Sequence, residues 1–225
     1  MKITFDAGLA FFIRPAYLKT LDTSEFMPGA EFFGSDELEL LNAGMAFSAE
    51  KKALAYLMRA EQSRFNLERK LIAKNRETEH IKAALDYLEH TGTLSDARFA
   101  RAWLNSRKIR YAEGRVKLEQ GLRRRGVAKE TAAAALDDFL SDTSEVELCR
   151  REYAKCLRLN KDRTAIMRRL RYCGFSYALI KAVMNESEEE ALLCAALSAP
   201  IKSRLNYKGM PDSATMPQTE GGRPF

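Results

Sequence analysis

The sequence predicts an all-α fold: three tandem three-helix repeats in an elongated curved array, with a small N-terminal appendage of hairpin and helix. Three observations carry this expectation. Ala, Leu, Arg and Glu dominate the 225 residues while Gly (12) and Pro (6) are few, a mix that favours helices. Three segments align without gaps: LERKLIAKNRETEHIKAALDYL from Leu67, LEQGLRRRGVAKETAAAALDDF from Leu118, and IMRRLRYCGFSYALIKAVMNES from Ile166. Their offsets of 51 and 48 residues leave room for about three short helices each.

Taken in order, KITF and LAFFI flank Asp6-Ala7-Gly8, which reads as a β-hairpin. Pro15, Pro28 and Gly29 punctuate the connection that follows. Ser35, with Glu37 and Glu39 after it, is an expected N-cap for a short helix DELELLNAGMAF. Ser48 is an expected second cap, opening a separate helix AEKKALAYLMRAEQ. The predicted organisation is an appendage over 1–48, repeats over 49–95, 96–143 and 144–197, and a disordered Pro- and Gly-rich tail over 198–225.

Within the repeats, the columns Leu67/Leu118/Ile166 and Leu71/Leu122/Leu170 lie four residues apart, one buried helical stripe. Four residues later come Asn75, Gly126 and Gly174, residue types that accept the left-handed conformation just past a helix end. A further helix carries Ile81/Ala132/Ile180 and Leu85/Leu136/Met184, again spaced for burial. A longer helix opens each repeat, at Ala53, Asp96 and Glu145. Three such helices cannot cover their own apolar faces, so neighbouring repeats must stack.

Charge is segregated. Residues 1–50 carry a net −5, residues 98–129 a net +9 and residues 150–172 a net +7, while residues 130–149 hold six acids and no base. Such blocks suit a face that meets a polyanion or an acidic protein surface. The expected contact residues cluster in two repeats. In repeat 2 they are Arg107, Lys108, Arg110, Tyr111, Arg115 and Lys117, followed by Arg123, Arg124 and Arg125. In repeat 3 they are Arg168, Arg169 and Arg171. Arg107 and Arg110 share a helical face, and Tyr111 supplies a ring that can stack on a base. Trp103 is expected to anchor the core of its helix.

Catalytic motifs are missing: the sequence has no phosphate-binding GxxxxGK[ST] loop, no GxSxG elbow and no HExxH helix. No catalytic residue, metal or cofactor is expected. Glu186, Glu188, Glu189 and Glu190 read as a solvated helix start. His80 and His90 complete no zinc set. Cys149, Cys156, Cys173 and Cys194 form no CxxC pair and read as reduced thiols in a cytoplasmic protein. The apolar N-terminus is interrupted by Asp6 and Arg14 and lacks the order of a signal peptide. No membrane contact is expected.

DARFARAWLNSR followed by EGRVKLEQGLRRRGV, with LRYCGFS further on, resembles the RecX regulatory-protein family over about residues 50–187. The most specific matches are Leu94, Asp96, Phe99, Ala100, Ser106 and Arg107, together with Gly174 and Phe175. The resemblance implies a non-enzymatic regulator. It would bind RecA filaments on single-stranded DNA and suppress the ATPase, strand-exchange and co-protease activities of RecA, modulating recombination and the SOS response. A monomer with at most weak direct DNA contact is the implied form. Two departures stand out: Asn75 replaces the glycine usual at the first helix end, and Gly114 alone remains of a glycine-rich approach to the second repeat's middle helix. The alternatives are a direct DNA-binding helical-repeat protein and a generic helical scaffold for an acidic partner.

Overall fold

The computed structural model describes residues 1–4, 10–74 and 77–198. The expected Asp6-Ala7-Gly8 turn, Asn75, and all of the tail except Ser198 lie outside the described residues. Two compact units divide the chain, Met1–Met184 and Asn185–Phe225. The three repeat cores all lie within the first.

The strands β1 (Lys2–Thr4) and β2 (Ala10–Phe12) pair antiparallel, with Ile3 opposite Phe11. Two short 3₁₀ turns follow, Pro15–Tyr17 and Thr23–Glu25. Helix α1 (Ser35–Leu57) then runs without a break. This corrects two expectations. Ser48 caps no second helix, because the chain at that point contains neither Pro nor Gly and the buried stripe of Leu40, Ala43, Ala46, Ala49 and Ala53 continues through it. The cap position at the start falls to Gly34, and Ser35 is already helical. Phe11 packs on Gly44 so closely that a Cβ there would collide with its ring. Glu50 is buried and ties the appendage to α1: Arg14 donates two hydrogen bonds to it, at 2.8 and 2.6 Å, and the Tyr17 hydroxyl a third at 2.8 Å.

Repeat 1 is completed by α2 (Arg64–Ile72) and α3 (Thr78–His90). Repeat 2 comprises α4 (Asp96–Arg110), α5 (Arg115–Arg123) and α6 (Lys129–Asp142). Repeat 3 comprises α7 (Glu145–Arg158), α8 (Arg163–Tyr172) and α9 (Tyr177–Ser198). Serines 63, 95 and 144 and Asp162 cap α2, α4, α7 and α8, each accepting a backbone N–H in the first turn. All four aligned apolar columns are buried in all three repeats. Burying a Leu, Ile or Met side chain stabilises by about 1.5–3 kcal/mol, and eleven of the twelve column positions hold one, Ala132 being the exception. Glu186 to Glu190 lie inside α9, not at a helix start, since the helix opens nine residues earlier at Tyr177.

The ends of α5 and α8 close alike. Val127 N–H donates to Leu122 and Phe175 N–H to Leu170, each at 3.3 Å, around Gly126 (φ 79°) and Gly174 (φ 87°). These turns are also where repeats meet. Gly126 lies against Phe65 of repeat 1, and Gly174 against Lys117 of repeat 2. The Ser63 hydroxyl donates to the Arg125 carbonyl at 2.7 Å, while Gly114 N–H donates to the Cys173 carbonyl at 2.9 Å. The turn at Gly114 is thereby defined. It caps α5, and a Cβ on it would come within 2.5 Å of the Gly174 oxygen.

Candidate functional site

Helix α4 ends in Arg107, Lys108 and Arg110, cations that complement the carbonyl end of the helix dipole. The chain then passes through Tyr111, Ala112 and Glu113 to Gly114, whose bond to Cys173 brings this loop against repeat 3. Helix α7 buries Leu148, Cys149, Glu152, Tyr153 and Cys156. Arg151, Lys155 and Arg158, spaced four and three apart, form the adjoining stripe. Together with the last turn of α8, these elements enclose a cleft of about 560 Å³ between repeats 2 and 3.

Seven cations line the cleft: Arg107, Arg110, Lys117, Arg151, Lys155, Arg158 and Arg169. Among the described residues two acids line it, Glu113 and Glu152, and both are buried and occupied. Arg107 grips Glu113 through two bonds of 2.8 and 2.6 Å, and Lys117 lies 3.3 Å from the same carboxylate. Burial pushes the Glu113 carboxyl up, but Arg107 and Lys117 outweigh it and hold it below its ordinary range. Arg169 donates to Glu152 at 2.7 Å. Arg151 reaches across the joint to the carbonyls of Lys108 (3.0 Å) and Tyr111 (2.6 Å), groups that the end of α4 leaves without an intrahelical donor. Among the described residues, Arg110, Lys155 and Arg158 have no carboxylate partner.

Two rings belong to this wall. The Arg107 guanidinium lies 4.0 Å from the Tyr111 ring centre, and Lys117 Nζ lies 4.2 Å from that of Tyr172. Both tyrosines remain exposed.

Of the twelve residues expected from sequence, the cleft brings together Arg107, Arg110, Tyr111, Lys117 and Arg169. The others lie elsewhere. Lys108 faces a smaller hollow between α4 and α6. Arg115 starts α5, its N–H donating to Glu145 at 2.9 Å and its guanidinium pairing with Asp137 at 2.7 Å. Arg123, Arg124, Arg168 and Arg171 are exposed on the ends of α5 and α8, outside the cleft. Arg125 is half-buried: it donates to the Gly121 carbonyl at 2.8 Å and lies 4.8 Å from the Trp103 ring centre. Burial and the neighbouring Arg107 push its guanidinium below the ordinary arginine range. Trp103 packs against the repeat 2 core, with its ring seated on Gly121.

Sequence reasoning missed Arg151, Lys155 and Arg158. The signal was present in the basic excess of residues 150–172 and in the spacing 151, 155, 158, which is one helical face. Glu113, Glu152 and Tyr172 are also part of the site and carried no comparable signal.

No group of three or more His, Cys, Asp or Glu among the described residues is placed to hold a metal ion. Cys149, Cys156 and Cys173 are unpaired and buried in the repeat 3 core, and burial pushes the Cys149 thiol up to about 12. Among the described residues no helix is long and apolar enough to cross a membrane.

Fold and site together define an all-α tandem-repeat protein whose distinguishing surface is an arginine-lined cleft at a repeat joint. Residues 95–136 match the RecX second three-helix domain. The chain is 32% identical to the regulatory protein RecX of Treponema pallidum (strain Nichols) over 145 residues, covering 64% of this chain and 88% of that one. It is also 32% identical to that of Herminiimonas arsenicoxydans over 151 residues, covering 65% and 97%. The chain belongs to the RecX family of regulatory proteins. A crystal structure of a regulatory protein RecX shares its fold with a TM-score of 0.64 at 19% identity, covering 71% of this chain and 82% of that one. RecX from Lactobacillus salivarius does so with a TM-score of 0.56 at 22% identity, covering 63% and 96%.

Proposed function

We propose that this chain is a non-enzymatic, cytoplasmic regulator that binds RecA filaments on single-stranded DNA and inhibits their ATPase, strand-exchange and co-protease activities. It acts as a monomer, through the cleft between repeats 2 and 3. One observation carries the reading: seven cations converge there against two acids that are already engaged, leaving a local surplus suited to a polyanionic nucleoprotein surface. The regulatory names of its relatives support it. The working module is residues 49–197, divided at 95/96 and 143/144, with 1–48 as an appendage that shares α1 with the first repeat.

Titration of the protein against RecA-coated and bare single strands tests this. Inhibition of RecA ATPase well below one copy per RecA monomer, with negligible binding to bare DNA, is the expected result. Charge reversal of Lys155 and Arg158 to Glu should abolish inhibition while circular dichroism is unchanged. A second reading, direct DNA binding, is favoured by the exposed Tyr111 and Tyr172 beside the arginines. Tight, steeply salt-dependent binding to bare strands without any RecA contact would establish it instead.

A further inference from the structure

We propose that the cleft between repeats 2 and 3 is also a binding site for a small nucleoside polyphosphate. The inference goes beyond the filament reading and does not depend on it. It starts from how the charges are spent. Glu113 and Glu152 hold Arg107, Lys117 and Arg169 in place and offset two of their three charges, so those cations form a set floor. Arg110 from repeat 2 and Lys155 and Arg158 from repeat 3 line the same cleft with no carboxylate partner among the described residues. Arg151 adds a fourth cation, which donates to the carbonyls of Lys108 and Tyr111 and has no carboxylate partner among the described residues.

Four such cations in about 560 Å³ repel one another, and the ligand that relieves them must concentrate negative charge over a short span. A polyphosphate does so. A nucleic-acid strand carries one charge per about 3.4 Å of its length, so a polyphosphate sets more charge against these four cations within one cleft. Arginine forks and lysines on facing walls are the donors that phosphate oxygens prefer.

The ring half of the ligand follows from the tyrosines. Tyr172 lines the cleft with 69% of its surface exposed, and Lys117 sits over its ring at 4.2 Å. A base stacking on Tyr172 would lie beside the polyphosphate donors of α7. The volume is also right, since pockets that take whole small molecules span about 300–1,000 Å³ and a lone phosphate would leave this one mostly empty.

The test uses the full chain without RecA: calorimetry and thermal unfolding with ATP, inorganic triphosphate, AMP or a short oligothymidylate, at matched ionic strength. ATP and triphosphate should bind saturably and raise Tm, with AMP weaker than both. Lys155→Ala and Arg158→Ala should each lower ATP affinity about tenfold, as expected for loss of a charged hydrogen bond. Tyr172→Leu should lower the affinity for ATP and leave that for triphosphate unchanged. Arg123→Ala/Arg124→Ala, outside the cleft, should bind ATP normally. The proposal is overturned if neither ATP nor triphosphate exceeds the effect of sodium chloride, or if only the oligonucleotide binds, which would make the cleft a strand groove. ATP binding by a chain that leaves RecA filaments untouched would remove the filament reading and keep this one.

Discussion

At the joint between repeats 1 and 2, Arg64 starts α2, its N–H donates to Asp96 at 2.9 Å and its guanidinium pairs with Asp86 at 2.6 Å. At the joint between repeats 2 and 3, Arg115 starts α5, its N–H donates to Glu145 at 2.9 Å and its guanidinium pairs with Asp137 at 2.7 Å. Both joints close on a positive-φ glycine packed against the preceding repeat. The framework is repeated almost bond for bond; the lining is not. Fifty-one residues earlier, Arg107, Tyr111, Glu113 and Lys117 are Tyr56, Ala60, Gln62 and Asn66. At the first joint Lys70 donates to Gln62 at 2.7 Å and lies over Tyr56, a counterpart of the Arg107–Glu113–Lys117 cluster in which an amide stands where the acid does. Framework residues and cleft-lining residues therefore occupy separate slots, and Arg115 belongs to the framework.

The largest expected effects strike what the joints share. Leu122→Ala, and likewise Leu71→Ala and Leu170→Ala, should each destabilise by about 2–5 kcal/mol in denaturant titrations. Similar losses in all three would confirm that the columns are equivalent. Gly126→Ala and Gly174→Ala should each cost about 2–4 kcal/mol, combining left-handed strain with collision against the neighbouring repeat. Gly92→Ala has the same strain (φ 68°) with nothing within 4 Å, so about 1 kcal/mol is expected, and an equal loss at all three would break the account of the joints.

Smaller effects should separate the joints. Glu113→Ala leaves Arg107 and Lys117 without their acid and should destabilise by about 1–3 kcal/mol, whereas Gln62→Ala should cost under about 1 kcal/mol. Acid offers the same contrast. Because Arg107 and Lys117 hold Glu113 below its ordinary 4.5, its contribution is full above that pH and is lost as pH falls through the lowered value. Amide exchange at the second joint should rise on acidification below about pH 4.5, while the Gln62 joint has no equivalent group to titrate. The smallest effects belong to the arginine triplet. Arg123→Glu and Arg124→Glu should change stability by no more than about 0.5 kcal/mol, and Arg125→Glu should cost more, since it places an acid where a guanidinium bonds Gly121 and covers Trp103.

What the sequence determined by itself was local: the apolar i, i+4 columns, the glycines that stop α5 and α8, and the starts of α4 at Asp96 and α7 at Glu145, because helix periodicity and helix ends are set within a few residues. It misjudged α1 at Ser48, where a good capping residue was overridden by a buried stripe running through it. Among twelve basic and aromatic candidates, spacing did not separate Arg107, which lines the cleft, from Arg115, which braces a helix. Only the tertiary structure decided that, because the cleft exists where α4, α5, α7 and α8 meet and its α7 wall lies some forty residues along the chain from Arg110. A cation's role depends on which acid reaches it. Glu113 and Glu152 reach some of the cations, and among the described residues Arg110, Lys155 and Arg158 line the cleft without one.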